Sequence, residues 1–193
     1  MRPTTDTPVE AGADRTPLHE RALEHRIPVV EEPRVRPCGH YPDLTLEERE
    51  VMALLAADLN AVQIAEHTHA SDYAVRTRLS TLGLKLGAAT SPQIIDIACR
   101  TGLLVPPRGV LKTPISVTVM TSFQALAQGG TRPWIATRKK VSENTVANHL
   151  AVVRARMRTS WNPAAVYRLH GVAPPVLNVT VPPCPFCAAG GAS

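Results

Sequence analysis

The side chains best placed to do chemistry in this sequence are cations, hydroxyls and amides at close spacing. Arg76, Thr77, Arg78 and Ser80 lie within a few residues of one another, with Lys85 shortly beyond. Arg138, Lys139 and Lys140 are consecutive; Thr145, Asn148 and His149 follow, and Arg154, Arg156 and Arg158 end the same stretch. Rows of this kind suit phosphate oxygens, which set affinity, and base edges, which set sequence preference. The chain has no glycine-rich phosphate loop, no H-E-x-x-H and no G-x-S-x-G, so no enzyme is expected.

A second candidate lies near the two ends. Cys184-Pro-Phe-Cys187 has C-x2-C spacing, and Cys38 with His40 would complete a tetrahedral, structural zinc site of thiolates and imidazole. The alternative is a reduced cysteine pair on a tail. A single C-x2-C is a weak signal, so that alternative is preferred and no cofactor is expected. Cys99 falls on an inward helical stripe and reads as a core residue. His67 and His69 stand at i, i+2, which shares no helix face, and read as surface residues. Trp134 and Trp161 are expected to fill core positions.

Charge narrows the partner. The net +5 is uneven: residues 1–43 and 44–104 each carry −2, residues 105–114 add Arg108 and Lys112, and residues 115–173 set eight basic groups against the single acid Glu143. A basic excess concentrated in one segment points to a polyanion there. No run approaches the ~20 apolar residues of a membrane span. The opening MRPTTDTPVE has no apolar stretch like that of a signal peptide, so a cytoplasmic location is expected. Seventeen arginines against four lysines suggest a GC-rich bacterial genome.

Helices are expected to carry these residues. Only 4% of the residues are aromatic, and Ala, Leu and Val dominate the apolar content. Thr45 and Glu48 make a capping box before Val51, Met52, Leu54, Leu55 and Leu59. Asn60 caps a short second helix. Ser71 caps a third, whose Val75, Leu79, Leu82 and Leu86 form one stripe at i, i+4, i+7 and i+11. Ser91 followed by Pro92 opens a fourth, which Gly102 closes.

Moved by 71 residues, the plan returns without a gap: Leu126-Ala127 replaces Leu55-Ala56, Ile135-Ala136 replaces Ile64-Ala65, and Ser142 replaces Ser71. Val146, Leu150, Val153 and Met157 repeat the stripe, and Asn162-Pro163 repeats the fourth start. The expected fold is therefore all-α, with two tandem four-helix helix-turn-helix domains at 44–104 and 115–173. A flexible arm at 1–43, holding one possible helix from Pro17 to Arg26, a proline-rich linker at 105–114 and a tail at 174–193 complete it.

LTLEEREVMALL, QIAEH, SDYAVRTRLSTLGLKLG and PQIIDIACRTGLL resemble the LuxR/GerE-type helix-turn-helix domain of bacterial response regulators over residues 44–104. VSENTVANHL is similar to the family's recognition helix, whereas ISVTVMTSFQALAQGG lacks the Glu-Arg-Glu start and is rich in β-branched residues, which weakens that first helix. The resemblance implies a sequence-specific transcriptional regulator of double-stranded DNA, reading it through helices 71–86 and 142–157. It assigns base contacts to Arg76, Thr77 and Ser80, and to Ala147, Asn148 and Ala151, with a phosphate or backbone role for His149. Of the second three, Asn148 carries an amide able to pair bidentately with adenine. The family's pairing through the fourth helix implies self-association, or pairing within one chain of the helices beginning at Pro92 and Pro163. The ten linker residues span ~33 Å when extended, about one DNA turn. Two alternatives stand beside this: a protein-interaction adaptor or anti-activator, and a sigma region 4-like factor. The second lacks a fourth helix, and residues 91–104 argue against it.

Overall fold

A computed structural model describes residues 44–172 and Leu177 of the chain. The proposed Pro17–Arg26 helix, the arm, most of the tail, and Cys38, His40, Cys184 and Cys187 lie outside the described residues, so the zinc set has no geometry here.

The described residues are all-helical: α1 Leu46–Ala56, α2 Ala61–His67, α3 Asp72–Leu86, α4 Ser91–Thr101, α5 Val117–Ala127, α6 Arg132–Lys139, α7 Glu143–Met157 and α8 Asn162–His170. Each helix of the second four starts 71 residues after its counterpart in the first. The backbone repeats at its corners too. Positive φ occurs at Asp58 and Gly129, at His69 and Lys140, and at Gly87 and Arg158, and each pair has the same offset.

Local chemistry explains most of the starts. Thr45 and Glu48 form the expected capping box on α1, Asn60 and Gln63 form another on α2, and Ser71 and Ser142 cap α3 and α7. α4 begins one residue earlier than the Ser91-Pro92 reading. Thr90 is the cap, its hydroxyl accepting the Gln93 N–H, and Ser91 is the first helical residue. α5 has no side-chain cap and several β-branched residues, yet it spans 11 residues like α1. Burial of Met120, Phe123 and Leu126 outweighs its poor propensity.

Val75, Leu82 and Leu86 of α3 and Val146, Leu150, Val153 and Met157 of α7 are buried as their stripes require. Trp134 and Trp161 are not core residues. They are 49% and 45% exposed, the first near the start of α6 and the second as the N-cap of α8, where no inward face is formed.

The most extensive helix pairing joins α4 to α8, with further contacts of α1 on α8 and of α4 on α5. Between these helices the buried Asp96 carboxylate pairs with Arg100 on its own helix and with His170 Nε2 at the end of α8, the latter at 2.8 Å. Residues 105–114 are not an extended tether. Tyr167 donates its hydroxyl to the Val105 carbonyl at 2.8 Å, and the Gly109 N–H bonds the Gly171 carbonyl at 2.9 Å. A Cβ at Gly171 would overlap the Pro107 carbonyl oxygen, so the strap runs where a side chain would stand.

Asp58 adds a cross-link between the halves. Its carboxylate accepts the Ser160 N–H at 2.7 Å and the Trp161 N–H at 2.8 Å, capping α8 where Trp161 supplies no acceptor. At the matching place in the first half, the Ala89 N–H bonds Gln93 of α4 itself at 2.8 Å. Gly129, the counterpart of Asp58, lies against that side chain, and a Cβ there would stand 2.5 Å from Gln93 Oε1. Asp58→Ala removes the cap and leaves alanine at φ 76°. The expected loss is about 1–3 kcal/mol in urea unfolding; a change below about 0.5 kcal/mol would show that the cap is dispensable.

Burial, and next the neighbouring Cys99 thiol, push the Tyr167 phenol up to about 12. Burial also raises the Cys99 thiol, which makes it a poor nucleophile. The folded chain keeps a tyrosine proton that the unfolded chain surrenders near pH ~10. This stability is therefore complete below pH ~10 and is lost as the pH rises towards about 12. Tyr167→Phe should flatten the alkaline fall in urea midpoint by about one proton's worth of slope. An unchanged slope would assign the fall to other groups.

Candidate nucleic-acid interface

The outward face of α3 follows from its inward one. With Val75, Leu82 and Leu86 buried, Tyr73, Arg76, Thr77, Ser80 and Leu84 are exposed. Asp72 restrains Arg76 through a bond from Nε at 2.7 Å. That bond, and then the carboxylate charge, raise the guanidinium further above its ordinary value. Thr77 donates its hydroxyl to the Tyr73 carbonyl at 2.9 Å, which leaves its lone pairs outward. Tyr73 and Leu84 are 80% and 82% exposed, so this face ends in apolar groups at both sides of the polar centre.

Arg78 and Lys85 stand elsewhere. Lys85 Nζ pairs with Glu48 Oε2 at 2.8 Å, and Glu48 is buried and also takes the Thr45 N–H. Lys85 thus ties the end of α3 to the start of α1. Arg78 is half-buried, and its charge adds a minor lowering at Glu47, whose carboxylate is held down first by its own backbone N–H and then by the Thr45 hydroxyl. Both cations therefore serve the acidic start of α1.

On α7 the exposed face carries Asn148, Ala151 and Ala155, with Ala147 half-buried beside them. Asn148 is the amide available there. Thr145 is engaged at the cap, its hydroxyl 2.9 Å from Ser142 Oγ. His149 faces α5 instead: Nδ1 lies 2.9 Å from the buried Ser122 hydroxyl. Lys139 is drawn to the same place, with Nζ bonding the Thr118 carbonyl, the Thr121 hydroxyl and Ser122 Oγ. The polar chain Lys139–Ser122–His149 joins α5, α6 and α7 and holds Lys139 and His149 off the open face.

Arg138, Lys140, Arg156 and Arg158 are exposed, with no carboxylate in ion-pair range among the described residues. Arg138 lies over the Trp134 ring, 5.2 Å from its centroid, which orients the guanidinium while leaving it in water. Lys140 ends α6 at φ 54°, the corner between the second and third helices of its set. Arg154 is turned to Asn162, bonding Oδ1 at 2.9 Å. Thus only part of the row of cations is presented outward, and it belongs to the second four helices.

Several groups that matter here are not singled out by spacing or periodicity. Asp58 becomes visible when the repeats are set side by side, because an acid faces a glycine at that position. Arg168, which donates to the Met157 and Arg158 carbonyls at the end of α7, has no local signal, being eleven and ten residues past its acceptors. Lys112 lies in the linker, and nothing nearby in the sequence tells which helix it meets.

Compared with family models, curated proteins and solved structures, the chain matches none of them.

Proposed function

We propose that this protein is a sequence-specific DNA-binding transcriptional regulator of the LuxR-like helix-turn-helix type, built from two four-helix units paired within one chain through α4 and α8. The observation that carries the reading is the exposed Asn148 of α7, in a set of four helices whose Arg138, Lys140, Arg156 and Arg158 are also exposed, with no carboxylate in ion-pair range among the described residues. The amide reads a base edge and the cations hold phosphates. The α4–α8 pairing and the Asp58 cap set the spacing of two half-sites, in place of an extended linker. In this reading the protein works in the bacterial cytoplasm on nucleoid DNA. No helix among the described residues is long and apolar enough to cross a membrane.

A second reading, a protein-interaction adaptor, is favoured by the first four helices. Their segment is net −2, Lys85 is engaged by Glu48, Arg76 by Asp72, and the outer face of α3 ends in Tyr73 and Leu84. Selection of bound duplexes from a random pool separates the two. Enrichment of a motif, together with affinity that falls steeply with salt, supports the regulator. An unenriched pool with flat salt dependence rejects it. Protection of a single half-site per chain in footprinting rejects the paired arrangement.

A further inference from the structure

The strap of residues 105–114 does more than join the halves. Its outer part forms, with the end of α7, a cleft of about 340 Å³ lined by Leu111, Lys112, Thr113, Arg156, Met157 and Arg158 among others. Three cations line it and no acid does. Lys112, Arg156 and Arg158 are exposed and make no ion pair among the described residues.

The helix end should work against an anion, since the carboxyl terminus of α7 carries partial negative charge. That charge is covered. Arg168 Nη1 bonds the Met157 carbonyl at 2.7 Å and the Arg158 carbonyl at 3.1 Å. The same bonds steady Arg158 at φ 53°, a backbone conformation that side-chain-bearing residues seldom hold. The cleft therefore offers three solvated cations, the Thr113 hydroxyl and an apolar floor of Leu111 and Met157, at a backbone held from behind.

Its size and charge suit a compact anion: a recess of a few hundred Å³ is the scale of small-molecule sites, and three cations line this one. We propose that this cleft binds a small, free, phosphate-bearing polyanion, recognised by Lys112, Arg156 and Arg158. The cleft shares Arg156 and Arg158 with the DNA-binding face proposed above, and Lys112 is the cation that belongs to the cleft alone. Backbone phosphate of a duplex shares the same chemistry and is separated by the test.

The test is calorimetric titration of inorganic tripolyphosphate into the full chain at low salt, for wild type, Lys112→Glu, Arg156→Glu and the charge-matched Arg132→Glu. Lys112→Glu and Arg156→Glu should each weaken binding at least about tenfold, and Arg132→Glu less than about twofold. No binding by wild type, or equal weakening by Arg132→Glu, overturns the site. The second arm replaces tripolyphosphate with a duplex. Duplex affinity unchanged in Lys112→Glu supports a free ligand. Loss of duplex affinity in that variant, with tripolyphosphate competing against the duplex, overturns the free ligand in favour of backbone phosphate.

Discussion

Asp96→Ala should destabilise the protein by about 3–5 kcal/mol, because it leaves the Arg100 guanidinium and the buried His170 imidazole without the carboxylate they share. Asp96 is 3% exposed and receives both Arg100 from its own helix and His170 from α8, across 74 residues of chain. The His170 side chain is 3% exposed and that of Arg100 13%, so neither recovers full solvation in place. Asp96→Asn keeps the volume and one acceptor, and should lose less. Urea unfolding of both variants measures this. A loss below about 1 kcal/mol for Asp96→Ala would mean that the network is relaxed or hydrated in solution. If α4 and α8 hold two DNA-reading units in register, Asp96→Ala should also reduce discrimination between correctly and wrongly spaced half-sites. That comparison is made at a temperature where the variant remains folded.

The second large effect concerns binding. Arg138→Glu combined with Lys140→Glu should weaken binding to every duplex by about 10²-fold and lower the slope of log affinity against log salt by about two, one for each phosphate no longer neutralised. Both side chains are exposed, so the fold should be kept. Asn148→Ala should behave differently, costing about 1–3 kcal/mol on the preferred sequence and little on others. Arg76→Ala changes sequence preference only if the first four helices also read bases. Uniform weakening by Asn148→Ala would remove it from base reading. An unaltered salt slope in the double variant would place the phosphate-binding cations elsewhere. Lys139→Glu is a poor substitute for either cation, because it breaks three bonds to α5 and would mix folding with binding.

Much of the helical plan is legible because it depends on neighbours. Thr45, Asn60, Ser71 and Ser142 act on N–H groups three residues away, and the stripes of α3 and α7 are written in one-helix periodicity. Thr90 and Ser91 show the limit of such signals. Both carry hydroxyls, and only the extended backbone at Thr90, φ −139° and ψ 153°, selects the first as cap. The tryptophans show another limit. Bulk and hydrophobicity suggest a core position, but both sit where a short helix starts and the chain has no interior to offer. The candidate site divides in the same manner. Spacing finds the cations of the second half, while tertiary packing turns Lys139, His149 and Arg154 inward and leaves Arg138, Lys140, Arg156 and Arg158 outside.

The helices and their caps can be read along the chain because each rests on side chains a few positions apart, and the 71-residue repeat and the place of the positive charge follow from setting those segments side by side. How the two halves meet depends on contacts between residues far apart in the chain. Asp58 on Ser160 and Trp161, Asp96 on His170 and Tyr167 on Val105 join residues 62 to 103 positions apart. No periodicity in a single chain encodes such pairs. They exist because burying the faces of α4 and α8 against each other brings them within bonding distance, and the sequence then needs only one suitable side chain at each end.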